Sequence, residues 1–161
     1  MLGAIAGDMI GSVYENLHTK RKDFRLFTPL SMFTDNTVLT VAVADTILKS
    51  RGYGESIRSY ARSYLFRGYG PGFLKWMLLP GARPYKSLGN GSAMRVSPVA
   101  YAFNTEEEVL AQAAMSAEYT HNHPEGVKGA QAVALAVFMA RSGAGKAAIK
   151  QAVQEISGTP A

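Results

Sequence analysis

Apolar residues in this chain recur mostly at helical spacing, and no segment combines period-two alternation with a tight turn. The clearest signal is the run 38–48, which has no Pro or Gly and whose Val38, Leu39, Val41, Ala42, Val43, Ala44, Ile47 and Leu48 cover more than one face. A helix that is apolar nearly all round is a buried one, so this run is expected to be the most buried helix. Thr34 is placed to be its N-cap, with Phe33 and Val38 as a hydrophobic staple and Asp35 in the first turn, where the helix dipole favours negative charge. Before it, residues 1–17 read as a helix with Gly3, Gly7 and Gly11 on one face, and 18–29 as a polar connecting loop. Each Gly costs ~1 kcal/mol relative to Ala inside a helix. Three in register predict close approach of another helix or a ligand.

Further helices are predicted over 55–66, 73–79, 127–140 and 146–156, separated by the breaks at 51–54, 68–72, 80–88 and 143–145. Thr105 and Glu108 have the spacing of a capping box for a helix running to Tyr119. Pro98 kinks or restarts a helix leading to Phe103, and the tail 157–161 reads as loop. The expectation is therefore one all-α domain over residues 1–161 with seven or eight helices, and no internal repeat.

Composition narrows the class. With 47% apolar residues the chain can build a core. No apolar run reaches the ~20 residues of a membrane span. The N-terminus lacks a basic leader and Asp8 interrupts its apolar stretch, which argues against a signal peptide. The absence of Cys removes thiolate chemistry and fits a reducing, cytoplasmic setting. The net charge of +5 suits an anionic partner, but the basic residues are dispersed, the densest group being Lys20-Arg21-Lys22, and no nucleic-acid motif is present.

Candidate chemistry lies in four stretches. Thr34, Asp35, Asn36 and Thr37 put four side-chain oxygens in a row at a helix start, where capping needs one. Such hard donors suit Mg²⁺ or Ca²⁺, although an over-polar helix start that merely satisfies its own backbone is the commoner explanation. Asp8 and Glu15 recur seven apart, either as surface groups or as members of a buried site. Gly89-Asn90-Gly91-Ser92-Ala93-Met94-Arg95 is a Gly-rich turn in which Ser92 can cap a following helix. Its backbone could hold an anion, with Arg95 a turn in. Thr120-His121-Asn122-His123-Pro124 presents two imidazoles, too close in sequence to share one helix face as a zinc pair.

Taken in order, the stretches 3–8 with Glu15, 33–37, 89–95 and 120–124 resemble the motifs of the ADP-ribosylglycohydrolase family, over essentially the whole chain. The resemblance implies an all-α fold around a binuclear Mg²⁺ centre. It also implies hydrolysis of the glycosidic bond between ADP-ribose and a protein side chain or small molecule. It assigns Thr34, Asp35 and Asn36 to the metal and Glu15 and Asp35 to catalysis, with Gly89, Asn90, Gly91, Ser92 and His121 on the ADP-ribose side. Two departures qualify the expectation. Asn36 stands where the family pattern usually has a second Asp, and an amide ligand brings no charge. The late Asp-x-Asp-Thr motif that supplies the other ligands is missing, since no Asp follows Asp45. The sequence therefore predicts the N-terminal portion of the family fold, or a divergent member, with at most one weakly held Mg²⁺ and low activity. The alternative is a non-catalytic ADP-ribose- or nucleotide-binding module. A homo-oligomer is expected if the apolar surface that the missing part would cover is exposed.

Overall fold

The computed structural model describes residues 1–15 and 19–158. Every regular element among them is an α-helix: α1 (Leu2–Gly11), α2 (Asp35–Lys49), α3 (Tyr53–Ser63), α4 (Pro71–Leu78), α5 (Gly91–Met94), α6 (Val99–Ala102), α7 (Glu106–Glu118), α8 (Pro124–Arg141) and α9 (Lys146–Ser157). None is long and apolar enough to cross a membrane.

The core is one cluster in which Leu39, Ala42 and Val43 of α2 meet Ile57 and Ala61 of α3, Trp76 and Met77 of α4, and Ala113 and Ala117 of α7. Ala130 and Ala134 of α8 close it. Small residues on α7 and α8 let those two helices pack closely, with α9 on the other side of α8. Helix α2 buries more residues than any other helix, namely Val38, Leu39, Thr40, Ala42, Val43 and Thr46, but the shorter α3 buries a larger share of its length, with Tyr53, Gly54, Ser56, Ile57 and Ala61. The apolar-all-round reading fails at the end of α2, where Leu48 is 83% exposed. The buried Thr40 and Thr46 each donate their hydroxyl to the carbonyl four residues back, which satisfies the group locally, and the Thr40 hydroxyl also lies 3.4 Å from the Met94 carbonyl.

The predicted boundaries shift for identifiable reasons. The first helix ends at Gly11, where the Ser12 hydroxyl turns back to the Met9 carbonyl (2.9 Å). Residues 12–15 form a turn, and the expected helix end at Leu17, the start of the loop at His18 and the tail beyond Gly158 lie outside the described residues. Helix α3 starts at Tyr53 and stops at Ser63, short of Phe66. Pro71 and Pro124 occupy first-turn positions, so α4 and α8 start earlier than their apolar runs suggest. The capping box at Thr105 and Glu108 forms in both directions. Among the described residues no helix packs directly on the glycine face of α1: a Cβ at Gly3, Gly7 or Gly11 would meet nothing within 4 Å.

Candidate functional site

The start of α2 accounts for all of its backbone donors. Asp35 N donates to the Arg67 carbonyl (2.7 Å) and Val38 N to the Thr34 carbonyl (3.2 Å). Asn36 N donates to the Thr34 hydroxyl (3.4 Å), and Thr37 N to Asp8 Oδ2 (3.1 Å). Asp8, reaching across from α1, also accepts from Thr34 N (2.8 Å) and from the hydroxyls of Thr34 and Thr37. It thus acts as a second cap supplied by another helix. The Arg67 carbonyl is aimed by a turn in which Phe66 (φ 62°) and Gly68 (φ 92°) are both left-handed, a conformation that costs a bulky residue energy. The Arg67 guanidinium lies over the Phe33 ring, 3.9 Å from its centre.

This accounting needs no oxygen from the Asp35 carboxylate. That group faces a hollow of about 210 Å³ walled by Tyr85, Ser87, Gly89, Asn90, Gly91, Met94, Arg95 and His121, with the 70–73 segment opposite. Its pKa is pushed up from 3.8 to about 6 by burial first, then by the charges of Glu15 and Asp8; the Asn36 backbone and the Thr34 hydroxyl pull weakly the other way. Among the described residues no Lys, Arg or His forms an ion pair with Asp8, Glu15 or Asp35.

A second hollow, of about 380 Å³, adjoins the other side of the helix start and is lined by Asp8, Glu15, Asn36, Thr40 and the small residues Ala4, Gly7 and Gly11. Met94 walls both hollows. The structure thus places Asp35, Gly89, Asn90, Gly91 and His121 around one space, and Glu15 and Asn36 around its neighbour. Thr34 lines neither; its hydroxyl donates to Asp8 and accepts from Asn36 N and from Asn36 Nδ2 (3.1 Å). Ser92 is not a cap. It sits inside α5, behind Asn90, and its buried hydroxyl donates to the Gly126 carbonyl (2.9 Å). His123 is the cap of α8, its Nδ1 accepting from Glu125 N (3.2 Å).

The far wall of the first hollow is cationic. Arg95 is fully buried, donating through Nη2 to the Ser116 carbonyl (2.8 Å) and the Thr120 hydroxyl (3.0 Å), and among the described residues no carboxylate pairs with it. Burial lowers its pKa to about 10, opposed by Tyr85. His121, 3% exposed, is pushed down from 6.5 to about 4, mainly by burial and then by Arg95, against a favourable interaction with the Gly89 backbone. At Gly91 a Cβ would sit 3.0 Å from His121 Cε1 and 3.3 Å from Nε2, so a side chain there would press on the imidazole. Gly126 is constrained in the same way by the His121 side chain and the Ser87 carbonyl, each 3.0 Å from a built Cβ.

The pocket therefore has an acid side, with negative charge in excess, and a basic side with an unpaired guanidinium. Hard oxygens of Asp35, Asn36 and Glu15 are the donors that could hold a divalent cation, and the repulsion from Glu15 and Asp8, which adds to burial in raising the Asp35 pKa, is what such an ion would relieve. Thr34 could join only by giving up its bonds to Asp8 and Asn36. Among the described residues no three of His, Asp and Glu come close enough together to hold a metal ion by themselves. Sequence reasoning missed the strut made by Asp8, the walls from Tyr85, Ser87 and Met94, and Thr120 between Arg95 and His121.

Comparison with known proteins puts these motifs in context. A family profile described as ADP-ribosylglycohydrolase matches residues 1–160. The chain is similar to the ADP-ribosylhydrolase ARH3 of Mus musculus (31% identical over 178 aligned positions) and of Homo sapiens (30%). It is also similar to that of Danio rerio (29%). Each alignment covers 89% of this chain but 48%, 49% and 47% of the respective relative. The chain thus spans about half the length of the curated relatives it matches.

Proposed function

The chain belongs to the ADP-ribosylglycohydrolase family, and we propose on that premise that it takes ADP-ribose against the 89–91 backbone and His121 and presents its glycosidic bond to Asp35 and Glu15 for hydrolysis. One observation carries this reading. An acid cluster and a buried Arg95, neither with an ion-pair partner among the described residues, line hollows that share Met94. A ligand with an anionic end and a hydroxyl-rich, electrophilic end matches both walls.

In the reaction, water adds across the bond: its hydroxyl goes to the anomeric carbon of the ribose and its remaining proton to the departing acceptor. Asp35, whose pKa is pushed up to about 6, can take a proton from water or return one near neutral pH. Glu15 keeps a second carboxylate across the adjoining hollow. The backbone at Gly89 and Gly91 allows close approach of a diphosphate, and Arg95 sets a positive potential behind it. Mg²⁺, held by Asp35, Asn36 and Glu15, would supply orientation of water and ribose hydroxyls. Donors this few fit at most one such ion, weakly bound.

A second reading, a non-catalytic ADP-ribose-binding module, is favoured by the absence of a three-residue metal cluster among the described residues. Two measurements separate the readings: calorimetric titration with ADP-ribose, and Mg²⁺-dependent release of ADP-ribose from a modified protein. Binding with slow release supports the hydrolase, binding without release the module, and no binding overturns both.

A further inference from the structure

Thr120 joins two groups whose hydrogen-bonding roles differ in freedom. A guanidinium can only donate, so the 3.0 Å contact from Arg95 Nη2 makes the Thr120 oxygen an acceptor. The same oxygen lies 2.7 Å from His121 Nδ1. The Thr120 hydroxyl makes no other side-chain hydrogen bond among the described residues. The hydroxyl proton is therefore directed at Nδ1, which must be unprotonated to receive it. On a neutral ring the single N–H is then on Nε2. That atom is buried and has no partner at hydrogen-bonding geometry among the described residues, although the Gly89 backbone favours a proton on the ring, and the ring lines the hollow with Asp35 and Gly91. A buried donor left without a partner costs roughly as much as a lost hydrogen bond.

We propose that Arg95 and Thr120 are positioning residues that fix His121 as its Nε2–H tautomer, a preset donor to an acceptor oxygen of whatever occupies the hollow. Arg95 holds the Thr120 oxygen in its accepting role, and Thr120 passes that constraint to the ring. The reverse direction, Nδ1–H donating to the same oxygen, would leave the Thr120 hydroxyl proton without an acceptor beside a charged donor, and that cost favours the Nε2–H ring. The arrangement favours a phosphate or hydroxyl acceptor over a ligand that offers only donors. Its use for ADP-ribose rests on the function proposed above, but the tautomer itself does not.

The test is the two-bond ¹H–¹⁵N spectrum of the uniformly labelled chain at neutral pH, with the His121 ring signals assigned through its own backbone connectivities. The expected pattern has Nδ1 in the unprotonated range and Nε2 in the protonated range. Thr120→Val should shift His121 toward a mixture of tautomers, and Thr120→Ser should restore the native pattern. An Nδ1–H ring, or a doubly protonated one, in the unmodified chain overturns the proposal without any variant having to fold. So does a folded Thr120→Val protein with the native pattern. ADP-ribose should bind about tenfold more weakly to Thr120→Val and normally to Thr120→Ser. Equal affinity across all three would overturn the donor role, whereas failure of the unmodified chain to bind ADP-ribose, with the tautomer as expected, would overturn only the proposed function.

Discussion

Asp35 is the residue at which stability and chemistry conflict. Its carboxyl is pushed up from 3.8 to about 6. Between those values the folded chain holds more protons than the unfolded one, so this group lowers stability as pH rises through the window, and the cost persists above it. Asp35→Asn should therefore stabilise the chain at pH 7 by about 1 kcal/mol, the full shift being discounted for partial exposure. That corresponds to about 2–4 °C in Tm for a chain of this size, and the gain should vanish below about pH 4. Hydrolysis should be lost. His121 acts in the opposite sense: with its pKa lowered from 6.5 to about 4, the unfolded state takes up its proton first, and stability falls as pH drops through that range. Both proteins share this term, so the difference between their thermal melts across pH 4–8 isolates Asp35. A variant no more stable than its parent at pH 7 would refute the assigned strain. Beside it, Asn36→Asp should add charge to the same cluster. Calorimetry should then show tighter Mg²⁺ binding, by about tenfold, without full turnover. Asp35, Gly91 and His121 could be picked out from sequence because each sits in a local pattern. The role of Asp8 could not, because its partners Thr34 and Thr37 lie 26 and 29 residues away. Arg95 was visible as a cation near a Gly-rich turn, but its burial beneath Thr120 was not.

Among the elements, α1 and α2 are held by different physics. Helix α2 is fixed by its core face, and α7 by the core contacts of Val109, Ala113 and Ala117 together with its capping box. Both were legible from local sequence, since caps and apolar faces act over a few residues. Helix α1 has no buried residue at all, although its apolar composition reads as a packing element. Its described anchors are polar: the Asp8 carboxylate on the start of α2, and the Ser12 hydroxyl, which accepts from Met32 N (3.1 Å). Hydrogen bonds to a charged group contribute about 1.5–3 kcal/mol each. Asp8→Ala should accordingly undock α1, and with it the wall formed by Gly7, Gly11 and Glu15. Hydrogen exchange should show protection of the α1 amides falling by about tenfold to a hundredfold, while α7 and α8 stay as they were. Unchanged protection in α1 would mean that its apolar residues hold it in place after all. The glycines of α1 are explained by neither helix packing nor backbone conformation, since a Cβ at each meets open space.

At the scale of the whole molecule, charge and apolar exposure oppose each other. The segment before α2 carries Phe24, Leu26, Phe27, Leu30 and Met32 with 41–74% of each exposed. It follows directly on Lys20, Arg21 and Lys22, all exposed. Apolar residues scattered singly over a surface are normal, but five within nine positions form a local concentration that favours association. The net charge of +5 works against it, and the basic group is adjacent to the apolar one. Repulsion between like-charged copies is screened by salt, with a Debye length of about 10 Å at 0.1 M, whereas apolar burial is not weakened by it. The expected outcome is a self-associating chain whose dimer strengthens as ionic strength rises. That is the reverse of an interface built on ion pairs. Light scattering at increasing concentration should show a mass above 17.3 kDa, more so in 0.5 M than in 0.05 M salt. Leu30→Lys, at a position 74% exposed and away from both hollows, should return the monomer without altering ADP-ribose affinity. A monomer at every concentration and salt, or a dimer that dissociates as salt is added, would rule out this apolar segment as the contact.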